Sequence, residues 1–320
     1  MNNLAEILEG VQSAAIGGHV RPDGDCYGSC MAVYLYLRKW FPQIRTDLYL
    51  ESKRDVFQYL AGYDDIRTTP VPDKVYDLFI TCDVSAPDRL AVASELFQKA
   101  RHTVCIDHHV SNTGFADINH IHGEIGSACE VIYHLMDPDK IDRDIATALY
   151  TGMAHDTGVF QYSNTTPETM RIAGELMKTG FDFSTIIDES FYQKTYLQNQ
   201  IMGRVLAESI MLLDGKCIVG YLKERDMRFY GVTGTDLEGV VSQLRLTKGV
   251  ETALFLYEME PGLFKISLRS NGDVDVSRVA VAFGGGGHVR AAGCDFKGRV
   301  HDAINMITEQ IEIQLRELGL

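Results

Sequence analysis

Short apolar runs alternate along the first half of this chain with longer stretches whose apolar residues recur at helical spacing. Residues 14–20, 46–50, 77–82 and 102–106 are compact runs of small, β-branched and apolar side chains, and they read as buried strands. Residues 3–13, 26–40, 124–136 and 144–154 carry the 3.6-residue period of amphipathic helices. Strands alternating with helices predict a mostly parallel sheet with flanking helices, whose strand ends gather along one edge. Pro167 behind Thr166 marks another helix start, Gly180 stops that helix, and residues 184–206 read as a long helical stretch without chemistry. The pattern then changes to hairpins. Residues 210–213 and 217–222 flank Asp214-Gly215, and 252–257 and 264–268 flank Pro261-Gly262. A helix over 236–246 and a closing amphipathic helix over 301–318 complete the second half. The division predicted is an α/β catalytic domain over 1–190, a helical connector over 191–204 and a smaller α/β mixed-sheet domain over 205–320.

The predicted strand ends carry the chemistry. His102-Thr103-Val104-Cys105-Ile106-Asp107-His108-His109 is an apolar run that stops at an acid and two imidazoles. Adjacent residues on an extended backbone point in opposite directions, so the two histidines can take different tasks. His19-Val20-Arg21-Pro22-Asp23-Gly24-Asp25 places three ligand types within seven residues, bent by Pro22 and Gly24. An Asp-Gly-Asp alone is an ordinary turn; a histidine at the end of the preceding strand turns the reading toward a metal. Asp83 follows the third strand, where an acid alone would be an ordinary helix cap. His155-Asp156 follows the helix over 144–154; His155 reads as packing and Asp156 as a ligand. A set rich in carboxylates, with some imidazole and no cysteine, is wrong for structural zinc. It suits Mn²⁺ first, with Mg²⁺, Co²⁺ or Fe²⁺ as alternatives. Six ligands with one shared carboxylate suit two ions.

Composition narrows the substrate. Thirty Lys and Arg face 44 Asp and Glu, a net charge of −14. A protein that grips long nucleic acid presents a basic face, so long duplexes are excluded and a phosphorylated substrate should be small. The seven cysteines form no CxxC pair, the opening residues carry no leader pattern, and the longest apolar run is too short for a bilayer. A reduced, cytoplasmic protein without membrane contact is expected. In the second half, Gly284-Gly285-Gly286-Gly287-His288-Val289-Arg290-Ala291-Ala292-Gly293 is embedded between apolar segments, unlike a linker. Successive glycines let the backbone approach a ligand and aim N–H groups at phosphate oxygens.

Taken in order, these motifs resemble the DHH phosphoesterase superfamily. The glycine segment resembles its DHHA1 domain, in the branch of nanoRNases and pAp phosphatases, and the likeness spans nearly the whole chain. The resemblance implies that His19, Asp23 and Asp83 hold one metal and that Asp25, Asp83, His108 and Asp156 hold the other, with Asp83 as the bridge. By the same resemblance His109 contacts the scissile phosphate or protonates the leaving group, while Asp107 orients the histidines. Arg269, Ser270, Gly285, Gly286, Gly287 and His288 would bind the substrate, and the active site would lie in the cleft between the domains. Expected substrates are short oligoribonucleotides or 3′-phosphoadenosine 5′-phosphate, with room for a homodimer. A cyclic- or linear-dinucleotide phosphodiesterase, a family II inorganic pyrophosphatase and a non-catalytic nucleotide-binding module remain alternatives at this point.

Overall fold

Strand β1 (Ser13–Gly17) is buried along its whole length, and its side chains alternate between two apolar layers. Ala14 and Ile16 belong to a large core on one face of the sheet, and Ala15 to a smaller one on the other. The same alternation runs through β4 (Leu78–Cys82), where Leu78 and Ile80 face the large core and Phe79 the small one. In the computed structural model, which describes residues 3–90 and 92–320, these strands form a six-stranded sheet with β2 (Arg45–Tyr49), β3 (Ile66–Arg67), β5 (His102–Asp107) and β6 (Ile118–Ile121). The order is β3-β2-β1-β4-β5-β6, with every neighbouring pair parallel. The chain moves outward from β1 in one direction and returns to build outward from β4 in the other. The order therefore reverses between β1 and β4, and ligands of open α/β sheets bind beyond the carboxyl ends of strands at such a point.

Helices cover the sheet: α1 (Leu4–Ile7), α2 (Gly24–Trp40), α3 (Ser94–Lys99), α4 (Ala128–Leu135), α5 (Arg143–Asp156), α6 (Pro167–Met177) and α7 (Phe183–Ile187). The large core is built mainly from α2, α4 and α5 against the sheet. Helices α2 and α5 approach so closely that a Cβ on Gly28 would lie 2.5 Å from the Ala148 carbonyl oxygen. One on Gly152 would lie 2.6 Å from Asp25 Oδ1. Two glycines thus let the helices that carry Asp25 and Asp156 lie against each other.

The chain divides between Gln193 and Lys194 into two compact units. In the second, α8 (Tyr196–Ala207) precedes β7 (Ile210–Leu212), β8 (Cys217–Leu222), α9 (Glu224–Tyr230), α10 (Val240–Arg245), β9 (Thr252–Glu260), β10 (Leu263–Ser270), α11 (Val276–Ala282), β11 (Gly286–His288), β12 (Ala291–Lys297) and α12 (Val300–Leu318). Its sheet runs β11-β12-β10-β9-β8-β7, antiparallel except between β8 and β9. Helices α11 and α12 cover one face and α8 and α10 the other.

Several predicted elements differ. The helix over 3–13 is one turn, α1, and Gly10 at φ 79° lies in the turn that follows. The stretch over 184–206 is broken: α7 runs into a π turn over Asp188–Tyr192, and Thr195 then caps a separate helix, α8, through a reciprocal pair with Gln198. Ile201 and Val205 of that helix pack in the second unit. The helix over 236–246 is split by Gly239 at φ 88°. The short β3, β6, α3 and α9 escape a reading based on periodicity because each spans less than two turns or a few strand residues. All seven cysteines are free and buried. No helix among the described residues is long and apolar enough to cross a membrane.

Candidate metal centre

The chain after β1 brings His19 to the crevice. Its Nδ1 donates to the Val20 carbonyl at 2.8 Å, which leaves Nε2 facing Asp83 Oδ2 at 3.4 Å and Asp23 Oδ1 at 3.7 Å. Asp23 caps α2, accepting from the Asp25 and Cys26 amides at 3.1 Å each. Two residues on, Asp25 is 1% exposed and accepts from the Ala128 and Cys129 amides at 2.6 and 3.1 Å.

Asp83 follows β4 and starts no helix there, which corrects the helix-cap alternative. It lies in the left-handed region at φ 59°, a conformation uncommon for a residue with a Cβ. The turn points its carboxylate into the middle of the cluster. Oδ1 lies 3.5 Å from His108 Nε2 and 3.6 Å from His109 Nδ1, and it is buried without a hydrogen-bond partner. His108 Nε2 also lies 3.5 Å from Asp156 Oδ2 and 3.8 Å from Asp25 Oδ2, while its Nδ1 donates to the Ile125 carbonyl at 3.3 Å.

His109 has different company. Its Nδ1 meets Asp107 Oδ1 at 2.7 Å, and the fully buried Asp107 accepts at Oδ2 from Asn112 Nδ2, also at 2.7 Å. Burial would raise the Asp107 pKa, but these two bonds hold it below the usual carboxylate range. Burial would likewise lower the His109 pKa, and the Asp107 and Asp83 carboxylates raise it instead. His155 is packing: its Nε2 meets Ser190 Oγ at 2.9 Å and its ring sits between Phe57 and Phe191. Asp156 lies on the last turn of α5, not in the loop after it.

Among the described residues, three groups of donor atoms lie within 4.8 Å of one another: His19, Asp23 and Asp83; Asp25, His108 and Asp156; and Asp83, His108 and His109. Crowded acids without a cation repel. Burial first, then the Asp83 charge, push Asp25 up to about 7, and burial with nearby acids raises Asp156 as well. Burial would lower His108, but Asp83, Asp156 and Asp25 push it up to about 11. An unpartnered buried carboxylate oxygen at the centre of an oxygen-rich set fits hard divalent cations.

The second unit places Arg269 on β10 and His288 on β11, and both pair with Ala291 on the strand between them. Residues directly opposite in antiparallel strands share a face, so Arg269 and His288 flank a small side chain, two strand spacings or about 9.5 Å apart. Arg269 Nη1 donates to the Leu268 carbonyl at 2.9 Å. Ser270 is 3% exposed and points to the opposite face, its Oγ without a partner, so it is separated from this row. The glycine run also has a packing cause. A Cβ on Gly285 would lie 2.2 Å from the Gly293 carbonyl oxygen and one on Gly287 2.5 Å from that of Ala291, whereas Gly286 faces open space.

The N-terminal part of the chain, residues 13–153, matches the model of the DHH family, N-terminal domain, and residues 214–313 match the DHHA1 domain. The chain belongs to the DHH–DHHA1 phosphoesterases. It is 29% identical to the bifunctional oligoribonuclease and PAP phosphatase NrnA of Thermus thermophilus, over all of this chain and 95% of that one. The protein of the same name from Bacillus subtilis is 26% identical over 86% of each chain. An exopolyphosphatase-related protein from Bacteroides fragilis has the same fold, with a TM-score of 0.89, 26% identity and coverage of 98% and 96%. Members of the DHH–DHHA1 family are hydrolytic phosphoesterases, which favours an enzyme over a non-catalytic module.

Reading the motifs missed Asn112, Glu130 and Asn164. Ser127-Ala128-Cys129-Glu130 has the Ser-x-x-Glu form of a helix start, a signal that places the beginning of α4 at Ser127, not 124. No motif marks Asn112 or Asn164, each of which joins a nearby residue, Asp107 or Asp156, to a distant segment at Val84 or Gly126.

Proposed function

We propose that this protein is a metal-dependent phosphoesterase that hydrolyses short oligoribonucleotides and 3′-phosphoadenosine 5′-phosphate with two divalent ions, Mn²⁺ by preference. The observation that carries the reading is the interlocking of the donor groups: Asp83 belongs to two of them and so does His108. His19, Asp23 and Asp83 would hold one ion and Asp25, Asp83, His108 and Asp156 the other. Ions held there supply an activated water and neutralise charge on the phosphoryl oxygens. Asp107 holds the His109 ring and raises its basicity, so that His109 delivers a proton to the leaving oxygen or contacts the phosphate. The relatives named as oligoribonuclease and PAP phosphatase support the substrate class, and so does the acid excess, which disfavours long nucleic acid.

Activity should vanish on exhaustive dialysis against chelator and return with Mn²⁺; full turnover after dialysis would end the reading. Asp25 and His108 hold protons near neutral pH in the metal-free chain, and a divalent ion must displace them. The apparent Mn²⁺ affinity should therefore weaken as the pH falls below about 11, and more steeply once it falls below about 7, measured by calorimetric titration at several pH values. A panel of pAp, pGpG, pApA, short and long RNA, cyclic dinucleotides and pyrophosphate should show turnover concentrated on pAp and the shortest RNAs. Pyrophosphate as the best substrate would favour the pyrophosphatase alternative.

Arg269, His288 and the Gly285–Gly287 backbone would grip a phosphate remote from the scissile bond, and Ser270, on the opposite face of β10, would not touch it. Arginine binds phosphate in a fixed fork that lysine does not reproduce. Arg269→Ala should raise KM for a dinucleotide by about 10–150-fold, the equivalent of losing a bond to a charged group, about 1.5–3 kcal/mol. Hydrolysis of bis-p-nitrophenyl phosphate, which has no distal phosphate, should change little. An unchanged ratio of kcat/KM between the two substrates would remove the second unit from substrate recognition.

A further inference from the structure

The turn over residues 125–129 bonds two members of one donor group directly and reaches the third through Asn164. The Ile125 carbonyl accepts from His108 Nδ1 at 3.3 Å, and the Ala128 and Cys129 amides donate to the two carboxylate oxygens of Asp25 at 2.6 and 3.1 Å. The Gly126 carbonyl accepts from Asn164 Nδ2 at 2.9 Å, and the same nitrogen reaches the Asp156 carbonyl at 3.2 Å. Asp25, His108 and Asp156 are the three residues of that group. None of these bonds involves His19, Asp23 or Asp83.

Glu130 fastens this turn. It is 2% exposed and sits at the third position of α4, where the acid of a capping box would reach back to the N-cap amide. Ser127 Oγ makes its half of that box, accepting from the Glu130 amide at 3.1 Å. The Glu130 carboxylate is diverted: it accepts from Thr169 Oγ1 on α6 at 2.8 Å and lies beside Gly126. Thr169 is itself held, its Oγ1 accepting from the Thr166 amide at 3.2 Å. Space is tight around the turn, since a Cβ on Gly126 would come within 2.8 Å of the Asn164 carbonyl oxygen and 3.3 Å of Glu130 Oε2. A buried carboxylate is costly to keep, and the proposed chemistry makes no use of this one.

We infer that Glu130 and Asn164 are positioning residues for one of the two cation subsites. They lock the 125–129 turn to α6 and to the end of α5, and the turn aligns Asp25, His108 and Asp156. The His19–Asp23–Asp83 group is aligned by other contacts and does not depend on them. The inference rests on the two-ion reading above and adds an asymmetry to it: the subsites can be weakened one at a time. Groups that orient ligands in this way are typically worth about 10–100-fold in metal affinity.

The test is Mn²⁺ titration of the metal-free full-length protein, followed by calorimetry and by the electron paramagnetic resonance of free Mn²⁺. The wild type should show two binding events. Glu130→Ala should weaken one by about 10–100-fold and leave the other at its wild-type value. Glu130→Gln keeps a carbonyl acceptor and should recover most of the loss. Asn164→Asp keeps the shape but removes the N–H donors, and should repeat the selective weakening; it carries the test if Glu130→Ala does not fold. A wild type that binds no Mn²⁺ would overturn the metal-centre reading itself. A wild type with two events, and variants that keep both affinities or lose both equally, would overturn the positioning role and leave the metal centre standing.

Discussion

Asp83→Ala is expected to lower kcat by roughly 10³-fold or more at saturating Mn²⁺, a larger loss than Asp23→Ala produces. The difference follows from where the two carboxylates sit. Asp83 Oδ2 faces His19 and its Oδ1 faces His108 and His109, so its removal opens the contact between the donor groups. Asp23 belongs to one group, and its carboxylate is also engaged at the start of α2. Alanine at φ 59° adds a backbone cost of about 1–2 kcal/mol that aspartate partly escapes through its short polar side chain. Asp83→Asn separates the two effects, because asparagine tolerates the left-handed region and keeps the shape while it removes the charge. Both variants should lose kcat, and the asparagine variant should melt close to wild type. Wild-type kcat in either, at saturating metal, would refute the bridging role.

His108→Ala and His109→Ala should fail in different ways. His108 Nε2 faces three carboxylates while its Nδ1 is held by a backbone carbonyl, the arrangement of a metal-binding imidazole. The variant should lose bound metal. The nearest contact of His109 to the cluster is through Nδ1, and that atom is already engaged by Asp107 at 2.7 Å. A cation on the same nitrogen would have to break that bond, so His109 is better placed to act through its other nitrogen on substrate. His109→Ala should keep its metal and slow turnover by ~10²–10⁴-fold, the usual worth of a positioned acid. Elemental analysis of the purified variants decides between the two. Metal lost from His109→Ala and retained by His108→Ala would mean the pair is assigned backwards.

Legibility in the sequence tracked how local each signal is. The strands that carry His19, Asp83 and His108 are runs of apolar residues, and burial on both faces of a parallel sheet requires such runs, so pattern alone revealed them. Asp107 and His109 were set apart from His108 by the family resemblance, whereas in space both histidines reach Asp83 Oδ1 and differ in their other partners. Residues 184–206 misled because helical spacing persists through a π turn and a capped restart, and periodicity does not register either. Ser270 was grouped with Arg269 by adjacency, while the alternation of β10 sends it to the opposite face.

By itself the sequence determined the class of fold, the candidate donor side chains and the acid excess. Those are properties of residue type and short-range order, and they survive in a one-dimensional reading. The tertiary structure shows which of these side chains lie together, because segments from 19 to 156 meet through the reversal of strand order between β1 and β4. It also decided that Gly152 gives Asp25 room and that Glu130 and Asn164 secure the turn beneath Asp25, His108 and Asp156. Most of these contacts join residues separated by tens of positions, and their energy depends on distance in space, for which spacing along the chain carries no measure.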